Sequence, residues 1–287
     1  MSNPLNYVLG ILRAQPQPCK FLVATALMRL GLSKYFTIRL PHYRLRFFPS
    51  SLSRALWLNP GARGGDEQLL MDYLRAGDLV IDAGANIGSL AIPAALQVGP
   101  QGRVHAIEAH PRTAGFLTEN VRLNRLTNVR IHGCALGEKA GMISFSCRRS
   151  DDQNAIDPQG AASSIQVPLW PLDELLAGQL PAAAPLALLK IDVEGYELPV
   201  FAGAARTLAR TQVVYFEAGP HLFAHFNYSA RDVFAHLEQA GFTIFMPDVA
   251  GRRLLSIAPE ALTGVHNLLA LRAPADFIAR TGYTLGA

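Results

Sequence analysis

Apolar and polar positions along this chain fall into two recurring rhythms. Short apolar runs of strand length alternate with stretches whose apolar positions fall three and four apart. The apolar runs are Leu79–Ile81, residues 103–108, Leu126–Ile131, Leu186–Ile191, Gln212–Phe216, Phe242–Met246 and His266–Leu271. Between them, Leu69, Leu70, Tyr73 and Leu74 share one helical face, with Asp66 as a cap and Gly77 as a stop. Ala114, Leu117 and Val121 share another, behind Pro111 at the first turn. Pro171-Leu172-Asp173-Glu174 opens a short helix, and residues 195–208 form one interrupted near Gly203. Ser229 and Asp232 have capping-box spacing ahead of Val233, Phe234 and Leu237, with Gly241 as stop. Strands alternating with helices predict an α/β fold, a mostly parallel sheet covered on both faces.

The ends and one interior stretch read differently. Residues 5–31 predict one or two helices broken near Pro16 and Pro18. Residues 36–48 alternate as a hairpin about Pro41-His42. Pro60-Gly61 and Gly64-Gly65 mark a loop, so a helical and hairpin extension over 1–65 precedes a domain over 66–287. Gly141–Cys147 is a further strand, and Ile165-Gln166-Val167 alternates briefly. Residues 148–164, polar and aperiodic, predict a long loop of the kind that forms a lid or substrate edge.

Composition narrows the class. Of 287 residues half are hydrophobic and 17% charged, which sets general disorder aside. Cys19, Cys134 and Cys147 are too few and too scattered for a disulfide framework or a zinc site, so a reducing cytoplasm is expected. Charge is lopsided: residues 1–65 hold nine Lys or Arg and no acid, while the rest carries a net −5. The simplest reading is a cap with a solvated basic face. A peripheral contact with the inner face of a membrane stays open. The apolar run Phe21–Met28 is too short to span a bilayer, which takes about 20 residues. No signal-peptide pattern opens the chain.

The candidate chemistry gathers at Leu79-Val-Ile-Asp82-Ala-Gly84-Ala-Asn86-Ile-Gly88. A strand, a glycine turn and a helix start make a nucleotide-binding corner. Dinucleotide folds use three glycines and seat a pyrophosphate on the helix N-terminus. Here Asn86 stands between two glycines, and Asp82 at the strand end would repel phosphate. A cationic ligand suits the acid, and S-adenosylmethionine brings an ammonium, a sulfonium and a ribose without phosphate. Glu108 ends the next strand twenty residues after Gly88, the interval for an acid that holds ribose hydroxyls.

With Asp82-Ala-Gly-Ala-Asn-Ile-Gly88, Glu108, Leu189-Lys-Ile-Asp-Val-Glu-Gly-Tyr-Glu197 and Phe216-Glu217 in order, the chain resembles the FkbM family of S-adenosylmethionine-dependent methyltransferases over about residues 66–247. One departure is that Ala109-His110 separates Glu108 from Pro111, where the family usually has proline directly after the acid. The resemblance implies a Rossmann-like methyltransferase fold with a seven-stranded sheet, S-adenosyl-L-methionine as cofactor, and methyl transfer to a hydroxyl of a sugar, glycolipid or natural product.

Position within that fold assigns expected roles. Asp82 and Gly84, with Asn86 and Gly88, would hold the amino-acid end of the cofactor, Glu108 the ribose, and Cys134-Ala135-Leu136 the adenine. Asp192 would face the methionine moiety or the acceptor, and Glu194, Glu197, Glu217 and His221 are acceptor-side candidates for the base. Lys190, set between apolar strand residues, is expected to pair with a neighbouring acid. Asp192, Glu194, Glu217 and His221 also offer ligand types for Mg²⁺, but without ligand spacing, so no metal is expected. Three rival readings stand beside this one. A nicotinamide oxidoreductase is disfavoured by the missing third glycine. A non-catalytic module would work through the basic segment. An RNA or small-molecule N-methyltransferase lacks an Asn-Pro-Pro-Tyr motif here, and aromatics are not interleaved with the basic residues, so nucleic acid is not the expected partner.

Overall fold

The computed structural model describes residues 16–146, 155–157, 164–180 and 185–286. Its centre is a nine-stranded sheet. In chain order the sheet strands are β3 (Leu79–Ala83), β4 (Arg103–Ile107), β5 (Val129–His132), β9 (Leu186–Ile191), β10 (Thr211–Ala218), β11 (Thr243–Asp248), β12 (Arg253–Ser256), β13 (His266–Leu271) and β14 (Thr284–Leu285). Their spatial order is β14-β12-β11-β13-β10-β9-β3-β4-β5. The five from β10 to β5 are mutually parallel, and β13 runs antiparallel between β10 and β11. Seven of these are the strands expected of a methyltransferase sheet. The short β12 and β14 extend it at one edge, and neither carries a long apolar run that would announce it in the sequence.

Alternation along the strands divides the core in two. Val80, Leu188, Val213 and Tyr215 pack on one face, while Leu79, Ile81, Leu189, Ile191, Val214 and Phe216 pack on the other. Period-two alternation between two apolar layers is what a doubly covered parallel sheet demands. The first face is covered by α3 (Gly64–Tyr73), α4 (Ala91–Val98), α5 (Pro111–Leu123) and α11 (Pro274–Thr281). The second is covered by α6 (Leu172–Leu175), α7 (Glu197–Ala202), α8 (Ala205–Arg210) and α10 (Ala230–Gln239). The break between α7 and α8 falls at Gly203, where a Cβ would lie 2.0 Å from the carbonyl oxygen of Gly137. Ser229 and Asp232 form the expected capping box on α10.

Two expectations shift. Asp66 does not cap its helix: α3 starts at Gly64, and the Asp66 carboxylate turns inward to Arg63, Tyr215 and Asn267. The strand at β7 (Gly141–Ser146) leaves the main sheet. It pairs with β8 (Ser164–Trp170), which also takes β6 (Ala135–Leu136), in a separate three-stranded sheet. Most of the expected loop over 148–164, and residues 5–15 of the N-terminal helical stretch, lie outside the described residues.

The N-terminal segment packs on the first face. It comprises α1 (Pro18–Arg29), the hairpin β1 (Thr37–Arg39) and β2 (Arg44–Arg46), and α2 (Ser51–Leu58). Ile38, Tyr43, Leu45 and Phe47 join the same core as Val80 and Leu117. Asn120 of α5 and Asn124 just past its end accept hydrogen bonds from the backbone N–H of Arg46 and Arg44 at 2.7 and 3.0 Å. Among the described residues no helix is long and apolar enough to cross a membrane.

Candidate active site

The carboxyl ends of β3, β4, β9 and β10 open onto a cavity of about 360 Å³. This is the crevice where open α/β sheets bind ligands, and its size suits a small molecule. Gly84, Ala85 and Asn86 form one wall. Gly84 adopts φ +74°, and a Cβ there would lie 1.8 Å from the backbone oxygen of Asp192, so the turn passes against β9 as only glycine permits. Asn86 is also left-handed, at φ 49°.

Glu108 stands at the cavity edge of β4. Its Oε2 accepts from the backbone N–H of Asn86 and its Oε1 from that of His110, both at 2.9 Å. The carboxylate thus ties the glycine turn to the next strand and keeps lone pairs for further donors. Burial pushes its pKa up to about 7, against the pull of the two N–H donors. Ala135, Leu136, Phe145 and Ile156 make the apolar wall beyond it. The neighbouring Cys134 thiol is pushed up to about 11 by burial, which keeps it unreactive.

Charged groups crowd the other end. Asp192, Glu194 and Glu217 each bring a carboxylate oxygen within 4.8 Å of the others. Lys190 Nζ stands 3.6 Å from Asp192, and Arg63 also reaches it at 3.6 Å. These acids are donors of the type Mg²⁺ takes, though Asp192 already has two cations beside it. Glu217 Oε2 is buried and has no hydrogen-bond partner among the described residues. Burial first, then the nearby Asp192 charge, raises its pKa to about 7. Behind this cluster Glu197 is wholly buried, and its Oε1 accepts from the backbone N–H of Val193 and Gly195 at 3.1 and 3.2 Å. That grip holds two consecutive left-handed residues, Glu194 at φ 57° and Gly195 at φ 97°.

A match to the model of the methyltransferase FkbM domain covers residues 82–244, more than half of the chain. The chain belongs to the FkbM methyltransferase family. The matched domain is of the S-adenosylmethionine-dependent type, and the cavity sits where the family corner begins. The hexuronic acid methyltransferase AglP of Haloferax volcanii is 28% identical over 183 residues, which is 61% of this chain and 70% of that one. The methyltransferase sdnD of Sordaria araneosa is 28% identical over 160 residues, 45% of this chain and 61% of its own. Methyltransferase 1 of Beauveria bassiana is 25% identical over 144 residues, and the chain spans 57% of its length. The crystal structure of methyltransferase FkbM from Methylobacillus flagellatus aligns with a TM-score of 0.44 at 16% identity, covering 76% of this chain and 52% of that one.

The FkbM cofactor fits the residues present. Glu108 offers acceptor oxygens for ribose hydroxyls, the apolar wall suits adenine, and the acids at the far end suit an ammonium group. Gly84, Asn86, Glu108, Ala135, Asp192, Glu194 and Glu217 all line this one cavity. Four expected site residues do not, the first being Glu197, buried behind the acid cluster. Asp82 is 2% exposed and paired with Lys190, because its side chain projects to the helix-covered face it shares with Val80 rather than off the strand end. Gly88 is turned away; a Cβ there would meet Leu117 Cδ1 at 2.7 Å, so its smallness serves helix packing. His221 sits exposed on α9 (Pro220–Ala224), off the cavity wall. Arg63 and Leu52 line the cavity unannounced. They come from before residue 66, and no local pattern signals a contact made only through tertiary packing.

Proposed function

We propose that this protein transfers a methyl group from S-adenosylmethionine to a hydroxyl of a sugar or related small acceptor. The observation that carries the reading is the Glu217 carboxylate. It lines the cavity, has one buried oxygen without a hydrogen-bond partner among the described residues, and is poised near pH 7. A neutral hydroxyl is a poor nucleophile, and a base with a pKa close to the working pH removes its proton most effectively. The sugar acceptor is supported by the hexuronic acid methyltransferase among the relatives.

When bound, S-adenosylmethionine supplies a methyl carbon made electrophilic by the adjoining sulfonium. The chain's residues do the rest. Glu108 would hold the ribose hydroxyls, and the Asn86 N–H that it accepts fixes the glycine turn beside it. Asp192, its charge balanced by Lys190 and Arg63, would hold the methionine end of the donor. Glu217 takes the acceptor proton, and Glu194 holds a neighbouring hydroxyl. Alignment of acceptor and donor in a fixed cavity is worth about 7–11 kcal/mol when attack geometry is close.

Purified protein incubated with the donor and a panel of uronic acid glycosides, neutral hexosides and amines tests the reading. The expected product is a sugar carrying one added methyl ether, seen by mass and by its fragmentation. Methylation confined to amines, or to none of the panel despite donor binding, overturns it.

A further inference from the structure

The outward face of α1 is apolar. Ala24 and, in part, Leu27 and Met28 turn toward the core. Cys19, Leu22, Val23, Ala26 and Arg29 turn away, with Leu30 just past the helix end, so all but Arg29 are apolar. An apolar outward stripe on a helix is normally covered, and among the described residues this one is not. Of the eleven exposed large apolar side chains among the described residues, six lie here: Leu22, Val23, Leu30, Leu32, Tyr35 and Phe36. Leu30 is 70% exposed and Tyr35 69%. A concentration of this kind marks an interaction surface.

The charges around it identify the partner. Arg29, Lys34 and Arg39 are exposed beside the apolar side chains, and no Asp or Glu occurs before residue 66. The first acid, Asp66, is turned inward against Arg63 and Tyr215. The remainder of the chain carries a net −5, and no acid among the first 65 residues offsets the Arg29, Lys34 and Arg39 charges at this face. We propose that this face docks on an anionic lipid bilayer, its leucines and aromatic rings entering the headgroup boundary and its cations meeting lipid phosphates. A second copy fits poorly, since a two-fold contact would set the Arg29, Lys34 and Arg39 cations of one patch against those of another. Aliphatic side chains gain nothing from a nucleic acid, whereas an acyl boundary takes them in. The proposal is independent of the acceptor assigned above and needs no methyl donor.

The test is co-sedimentation of the full chain, without donor or acceptor, with vesicles of phosphatidylcholine alone and vesicles holding about three parts in ten phosphatidylglycerol. Binding to the second and not the first, weakened by salt, is expected. Leu22→Ser with Val23→Ser, and separately Arg29→Glu with Lys34→Glu, should each lower binding about tenfold or more, with the fold unchanged by circular dichroism. All four side chains lie at the surface of the segment, away from the cavity. Failure of the full chain to bind either vesicle overturns the proposal. So does binding indifferent to both pairs of substitutions. A dimer in sedimentation velocity that the Leu22 and Val23 substitutions dissolve would replace the bilayer with a second copy.

Discussion

Lys190 Nζ lies 3.0 Å from Asp82 Oδ1, and both residues are buried. The pairing follows from register: β3 and β9 are adjacent parallel strands in which Asp82 stands opposite Lys190. Both therefore project to the same face, the one that Val80 and Leu188 also use. The ammonium further donates to the backbone oxygens of Gly84 and Ala83, at 2.8 and 3.3 Å. Burial alone would lower the lysine pKa; Asp82 and then Asp192 outweigh it and the net direction is up. A charged lysine thus fastens the glycine turn to the strand beside it.

Removing one partner of such a pair strands the other charge. Lys190→Met should cost about 3–5 kcal/mol of stability by urea denaturation. Restoring balance with Asp82→Asn in the same chain should recover part of that loss. If Lys190→Met unfolds at the wild-type midpoint, the pair carries no structural weight.

Glu108→Ala should weaken donor binding about tenfold to a hundredfold by calorimetry, the loss expected when hydrogen bonds to a charged group are removed. Asn86 loses its anchor in the same stroke, so affinity falls for two reasons. Glu108→Gln keeps the shape and an acceptor oxygen and should lie between. Unchanged affinity in Glu108→Ala would place the ribose elsewhere.

Glu217 makes a pH prediction. As the base it must be ionised, so kcat should rise with pH and level off above about 7. Glu108 ionises in the same range, at about 7, but its effect belongs in the KM for the donor. Glu217→Gln should lower kcat at least about a hundredfold while leaving donor affinity within a few-fold. A kcat profile that keeps its inflection in the glutamine variant assigns the inflection to another group.

The parts of this site that were legible in sequence are those carried by a local motif. Gly84, Asn86 and Glu108 follow from a strand, a turn and the length of one βα unit, and the backbone leaves them little choice. Sequence does not decide where Asp82 points, because a strand-end acid looks the same whether it faces the ligand or the helix layer. Parity decides, and parity depends on which face Val80 and Leu188 share. Arg63 was invisible for a different reason. Its place beside Asp192 is held by Asp66, which Tyr215 and Asn267 hold in turn, and those partners are 149 and 201 residues away from Asp66. The departure of β7 from the main sheet is likewise a matter of pairing, which an apolar run does not specify.

Glu197 links the site to stability. It is wholly buried, its Oε2 has no hydrogen-bond partner among the described residues, and burial raises its pKa to about 8 against the lowering effect of backbone N–H donors. In the unfolded chain a glutamate titrates near 4.3. Between those values the folded state binds the extra proton, so stability falls as pH rises through the window. The stabilisation is complete below the unfolded pKa and is lost as pH passes about 8. Glu197→Gln keeps an oxygen for the N–H groups of Val193 and Gly195 but cannot ionise. The wild-type melting temperature should therefore drop more steeply from pH 5 to 8 than that of the glutamine variant. The difference between the two curves isolates this residue from Glu108 and Glu217, which shift in the same direction. Parallel curves would mean that Glu197 ionises as readily inside the protein as outside it, and the grip on Val193 and Gly195 would then be that of a carboxylate at every pH tested.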